Sequence, residues 1–119
     1  MSDFGMFVEW GEPIAGREHQ GIAVFKEALD FVERQEQEGT IEDHEVVVLS
    51  PHGNNMQGFI LMRGEPEKLN AVVGNPEWGR IVTRAGYVAH NVGVVPAYLN
   101  HEGVKLVEAM ESETVDLRP

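Results

Sequence analysis

The segment Gly86–Tyr98, GYVAHNVGVVPAY, contains no Asp, Glu, Lys or Arg. Read as a strand, it points successive side chains to opposite faces of a sheet. Val88, His90, Val92 and Val94 then share one face, and Tyr87, Ala89, Asn91, Gly93 and Val95 share the other. A strand with one solvated face alternates apolar and polar residues, whereas one without a charged face is covered on both sides. The sheet that holds this segment therefore needs two covers. The reading also sets His90, the best-placed titratable group, among valines at mid-strand.

The rest of the chain supplies the partners. Phe4–Trp10 reads as a first strand, with Met6, Val8 and Trp10 on one face and Phe7 and Glu9 on the other; Gly11, Pro13 and Gly16 end it. Gly21–Glu38 is an amphipathic helix, because Ile22, Phe25, Leu29 and Val32 recur at helical spacing with Ala28 beside them. Phe25 and Phe31 are assigned to core and flank, and Gly39 is the left-handed stop. Ile41–Ser50 begins polar and becomes a strand at Val46–Leu49. Gln57–Arg63 returns from it after the turn-forming run Pro51–Asn55.

Gly64–Gly86 reads as a helix in two pieces. Pro66 opens the first, with the stripe Leu69, Val72 and Val73, and Gly74 closes it. Asn75-Pro76-Glu77 restarts it as cap, first position and favourable acid; Trp78, Ile81, Val82 and Ala85 form its apolar face, and Gly86 stops it. Pro96 ends the last strand's pairing. Asn100 caps a short helix carrying Val104, Val107 and Met110, and Asp116–Pro119 frays.

Strand, helix, strand, strand, helix, strand is the α+β, split βαβ pattern of ferredoxin-like domains: βαββαβ, a four-stranded antiparallel sheet with the helices on one face. The expectation is one domain over residues 1–119, with a core at about 4–100 and a helical tail at 101–119. The face away from the helices carries Val47, Leu49, Phe59, Leu61 and Val95. Soluble monomers avoid a patch of that size, and a twofold interface is the commonest cover, so a homodimer is expected. From this pattern, and locally from NPEWGRIVTRAG and GYVAHNVGVV, the chain resembles the dimeric α/β-barrel group of ferredoxin-like proteins. The resemblance implies two sheets packed face to face. The group includes cofactor-free monooxygenases, haem-degrading enzymes, isomerases and dehydratases, and no branch is assigned.

Composition narrows the partners. Twenty acids against 9 bases give a net charge of −11, which disfavours phosphate backbones and anionic lipid surfaces. At 42% hydrophobic, the chain can bury a core. It has no cysteine, hence no disulfide, thiolate metal site or cysteine nucleophile. No basic-then-apolar leader and no membrane-length apolar run is visible, so a cytoplasmic protein is expected.

The five histidines, at 19, 44, 52, 90 and 101, show no metal-ligand spacing, and His44 and His52 flank a strand, so no metal is expected. No phosphate loop, dinucleotide fingerprint or nucleophile elbow appears, and no cofactor is expected. Glu9 and Arg63 are candidates for an ion pair. His90, in its apolar setting, is either a core histidine or the polar group of a pocket, neutral at pH 7 because burial disfavours imidazolium. The expected pocket opens where the broken helix covers the sheet incompletely, with Trp10, Trp78 and His90 meeting there.

Three functions remain in play. One is a dimer binding a small, mostly apolar organic molecule between helices and sheet. Another is a cofactor-free enzyme with His90 as acid/base and Tyr87, Trp10 or Arg63 orienting substrate; as a binding site alone, the candidates are Trp10, Trp78, Tyr87, Arg63 and His90. The last is a structural or regulatory dimer. Whichever holds, duplex DNA or RNA titrated with low micromolar protein shows no salt-dependent gel shift; a shift would overturn the charge argument.

Overall fold

Strand β1 (Phe4–Trp10) takes an inner position in the sheet because every second residue on each of its faces can be buried. The computed structural model describes residues 2–119. β1 pairs antiparallel with β3 (Gly58–Arg63) on one side and β4 (Gly93–Tyr98) on the other, and β2 (Asp43–Val48) pairs with β3, giving the order β2-β3-β1-β4. Val8 lies opposite both Ile60 and Val94, and Met6 opposite Met62 and Pro96. That register puts Met6, Val8, Ile60 and Met62 on one face, where they form the core with helices α1 (Glu18–Gln37), α2 (Pro66–Val73) and α3 (Pro76–Val88). The fold is the ferredoxin-like βαββαβ, followed by α4 (Asn100–Glu113) and a 3-10 turn at Val115–Leu117.

The helix break falls where the sequence puts it. The Asn75 side chain accepts a hydrogen bond from the Glu77 N–H at 2.8 Å, and Pro76 occupies the first turn. Gly39 is left-handed, with φ 78°. The buried stripe of α1 is rotated from the expected one: Val24, Phe31, Val32 and Gln35 are buried, and Ile22 is exposed. Phe31 is the fully buried phenylalanine and Phe25 the half-buried one.

The main correction concerns Gly86–Tyr98. Helix α3 does not stop at Gly86 but runs to Val88, because Val88 continues at helical spacing the face of buried Trp78 and Ile81 and half-buried Ala85. A valine that suits a strand by propensity suits this helix by position. Asn91 then adopts φ 55°, a left-handed turn that Asn tolerates and an extended strand does not allow. β4 therefore begins only at Gly93, and His90 lies in the α3–β4 loop. The loop stays tied to the segment after β1: the Gly11 N–H donates to the His90 carbonyl at 2.7 Å, and the His90 N–H donates to the Glu12 carbonyl at 2.8 Å.

Two further differences have local causes. Pro96 sits inside β4 instead of ending it, which an edge strand tolerates because one of its sides has no ladder partner. Leu99, not Asn100, is the N-cap position of α4, and the Asn100 side-chain amide reaches Asp3 at 3.4 Å. Among the described residues, no helix is long and apolar enough to cross a membrane.

Helices α1 and α3 run antiparallel and are tied together on their solvent side. Arg34 holds Glu77 through its two terminal guanidinium nitrogens, Arg84 holds Glu27 at 2.7 and 3.1 Å, and Arg17 donates to the Tyr87 carbonyl at 2.7 Å. The hydrogen bonds from Arg34 hold the Glu77 carboxyl below its ordinary pKa. A carboxylate depressed in the folded state stabilises it above the unfolded pKa, and the contribution disappears as pH falls through the folded value. Glu77→Gln should thus lower the urea midpoint at pH 7, and the difference from wild type should shrink toward zero as the pH falls from about 4 toward 2. An unchanging difference would contradict an ionic origin.

Candidate functional site

A cavity of about 370 Å³ lies between α1, α3 and the helix-side face of the sheet. Its floor is Val8, Trp10 and Ile60; α1 contributes Gly21, Phe25 and Ala28, and α3 contributes Trp78, Ile81 and Ala85. The cause of the space is side-chain size. The C-terminal half of α1 meets the N-terminal half of α3 through large groups, with the Phe31 and Trp78 ring centroids 5.4 Å apart. Toward the other end of the antiparallel pair the facing residues shrink to Gly21, Ala28 and Ala85, and the gap stays unfilled. The helix break plays no part in this, since neither Gly74 nor Asn75 lines the cavity. The volume suits a small organic molecule.

Two glycines set the end of the cavity nearest the loops. A Cβ on Gly58 would lie 2.6 Å from the Trp10 ring, so glycine there lets the indole lie across β3 and meet Phe25, 5.3 Å away between centroids. A Cβ on Gly11 would lie 2.8 Å from both the Asn55 and the His90 carbonyl oxygens, so glycine allows the β2–β3 and α3–β4 loops to close around the end of β1. The lining reaches solvent at Pro13, Glu18, Ile22 and Val48, all exposed. Glu18 brings a carboxylate there, and it already accepts the Gly16 N–H at 2.6 Å. Within the wall, Trp78 is 2% exposed, and its Nε1 is the one buried side-chain nitrogen or oxygen among the described residues without a hydrogen-bond partner. A buried donor left unpaired is costly, and an acceptor brought within its reach would be favoured.

Of the residues singled out from sequence, Trp10 and Trp78 meet in this wall. His90 does not: its imidazole is exposed on the loop, although its neighbours Ala89 and Val92 line the cavity. The burial argument for a neutral imidazole therefore has no basis, because it assumed a strand between two covered faces. Tyr87 is 69% exposed, its ring under the Arg17 guanidinium at 5.2 Å. Arg63 lies on the other sheet face, paired with Asp43 at 3.2 Å and Glu45 at 3.3 Å. It does not pair with Glu9, which sits opposite Phe59, four positions along the ladder. His44 lies inside β2 instead of flanking it, with Nδ1 2.8 Å from a Glu36 carboxylate oxygen. Among the described residues, no three His, Asp or Glu side chains are arranged to hold a metal ion.

The sequence reading missed Gly21, Phe25, Ala28 and Ala85 as walls. The available signal was small residues on the stripes of two antiparallel helices, which becomes readable only once the helices are known to face each other. In equilibrium unfolding, His90→Ala should change stability by no more than about 0.5 kcal/mol. Trp78→Ala should cost about 3–5 kcal/mol. The reverse ranking would restore His90 to the core.

No family model and no curated protein matches the chain. Several solved structures share its fold. SnoaB, a cofactor-independent oxygenase from Streptomyces nogalater, superposes with a TM-score of 0.60 at 13% identity, covering 84% of this chain and 96% of that one. A dimeric ferredoxin-like protein of unknown function from Jannaschia gives 0.61 at 13% identity, over 81% of this chain and 99% of that one. Another, from Bacteroides fragilis, gives 0.59 at 9% identity, over 82% and 98%. At such identities the likeness is one of fold: this chain has the ferredoxin-like architecture found in dimeric proteins of unknown function and in a cofactor-independent oxygenase.

Proposed function

We propose that this protein binds a small, mostly apolar organic molecule in the cavity between α1, α3 and the sheet, and that it does so as a homodimer. The cavity carries the reading: about 370 Å³, walled by Trp10, Phe25, Ile60, Trp78 and Ile81. Apolar walls reward burial of an apolar body at roughly 25 cal/mol per Å².

The homodimer rests on the second sheet face. Phe7 and Phe59 stack there with centroids 4.9 Å apart, and Val95 is 50% exposed. The similar folds from Jannaschia and Bacteroides fragilis are described as dimeric. Cofactor-free catalysis draws on the likeness to the Streptomyces oxygenase. It has less behind it, because the imidazole expected to serve as acid/base is exposed outside the wall.

The neutral dye N-phenyl-naphthylamine tests the binding reading. It should bind saturably, with quenching of tryptophan emission, since both tryptophans line the cavity. Ala85→Phe and, separately, Ala28→Leu should weaken it at least about tenfold, or 1.4 kcal/mol. Tyr87→Ala, outside the wall, should leave it unchanged. Non-saturable binding, or binding indifferent to both cavity-filling substitutions in folded protein, would sink the proposal.

A further inference from the structure

Helix α4 is built for a surface that its own chain does not provide. All its residues are exposed or half-buried, and its main contacts are with β4, from which it springs, and with the 3-10 turn after it. Yet Val104, Val107 and Met110 recur at a spacing of three, on one side of the helix, each more than half exposed. A helix of about this length is marginal in water without tertiary packing. This one has Gly103 in its first turn and no side-chain N-cap. The radius of gyration is 16.2 Å, against about 13.5 Å for a compact chain of this length, so the molecule is drawn out along one axis, 50 × 37 × 24 Å.

The second sheet face has the matching deficit. Leu99, the residue before α4, lies over that face: a Cβ on Gly5 would be 2.9 Å from Leu61 Cδ1 and 3.5 Å from Leu99 Cδ1. The helix thus begins at the margin of the surface proposed as the dimer interface. A four-stranded face of six-residue strands has an outline of only about 400 Å². Stable interfaces bury about 800 Å² per partner. The apolar side of a helix about 21 Å long adjoins the sheet face at Leu99 and adds to the area a second copy would bury.

We propose that α4 is an exchange arm, whose Val104, Val107 and Met110 pack on the second copy of this chain beside the paired sheet faces. The proposal rests on the homodimer reading. A second copy fits better than a foreign partner because the two uncovered apolar surfaces adjoin, and one twofold operation covers both on both chains.

The test combines sedimentation with cross-linking. Wild-type chain should sediment as a dimer at micromolar concentration. Val107→Lys with Met110→Lys should raise the dimer dissociation constant at least tenfold without loss of the far-ultraviolet spectrum. Ser112→Lys, on the opposite side of the helix, should leave it unchanged. A photo-reactive benzoyl-phenylalanine at position 107, in a mixture of nitrogen-15-labelled and unlabelled chains, should yield cross-links joining heavy to light peptides. A wild-type monomer would overturn the arm and the homodimer together. A wild-type dimer with unchanged affinity in the double variant, or with cross-links confined within single chains, would overturn the arm alone.

Discussion

The contact between Phe31 and Trp78 governs the spacing of the helical layer. Both side chains are almost fully buried, one from α1 and one from α3, with ring centroids 5.4 Å apart above Ile60 and Met62. Aromatic rings contribute both area and a preferred geometry, so the pair sets how close the helices come to each other and to the sheet. With that distance set at one end, the small residues Gly21, Ala28 and Ala85 toward the other end cannot close the gap. The cavity is thus a consequence of where large and small side chains fall along two antiparallel helices.

The solvent side of the helix pair follows the same logic. Arg34–Glu77 and Arg84–Glu27 sit at successive levels and hold α1 and α3 in register. Exposed pairs of this kind contribute little stability individually. Their effect is geometric: a slide of one helix past the other would break them together. Arg17, bound to the Tyr87 carbonyl, ties the far end, where the cavity reaches solvent.

The two sheet faces divide the labour. One is filled by helices and holds the cavity. The other keeps an aromatic pair and aliphatic residues in the middle, while Arg63 pairs with both Asp43 and Glu45 at one end. A face organised in this way offers a partner an apolar centre with charged groups toward its ends, the pattern of an interface core and rim.

Local signals determined much of this fold from sequence alone. The presence of the helices, the Asn75-Pro76-Glu77 restart, Gly39 and the strand alternation of Met6, Val8 and Trp10 each depend on neighbours a few residues away and read correctly, whereas the buried stripe of α1 is rotated from the expected one because what the helix packs against sets it. The element order, and with it the ferredoxin-like topology, follows. What failed is the stretch Gly86–Val92, where Val88 satisfies both a period of two and a period of 3.6. The choice between them was made by burial of Val88 on α3 and by the left-handed turn at Asn91. With that choice His90 moved from a covered strand to an exposed loop. A pocket beside Trp10 and Trp78 was expected, but its cause and its other walls were not legible, because a cavity is a difference between two packed surfaces. Only the antiparallel juxtaposition of α1 and α3, set by contacts far apart in the chain, decides which small residues face each other and leave space.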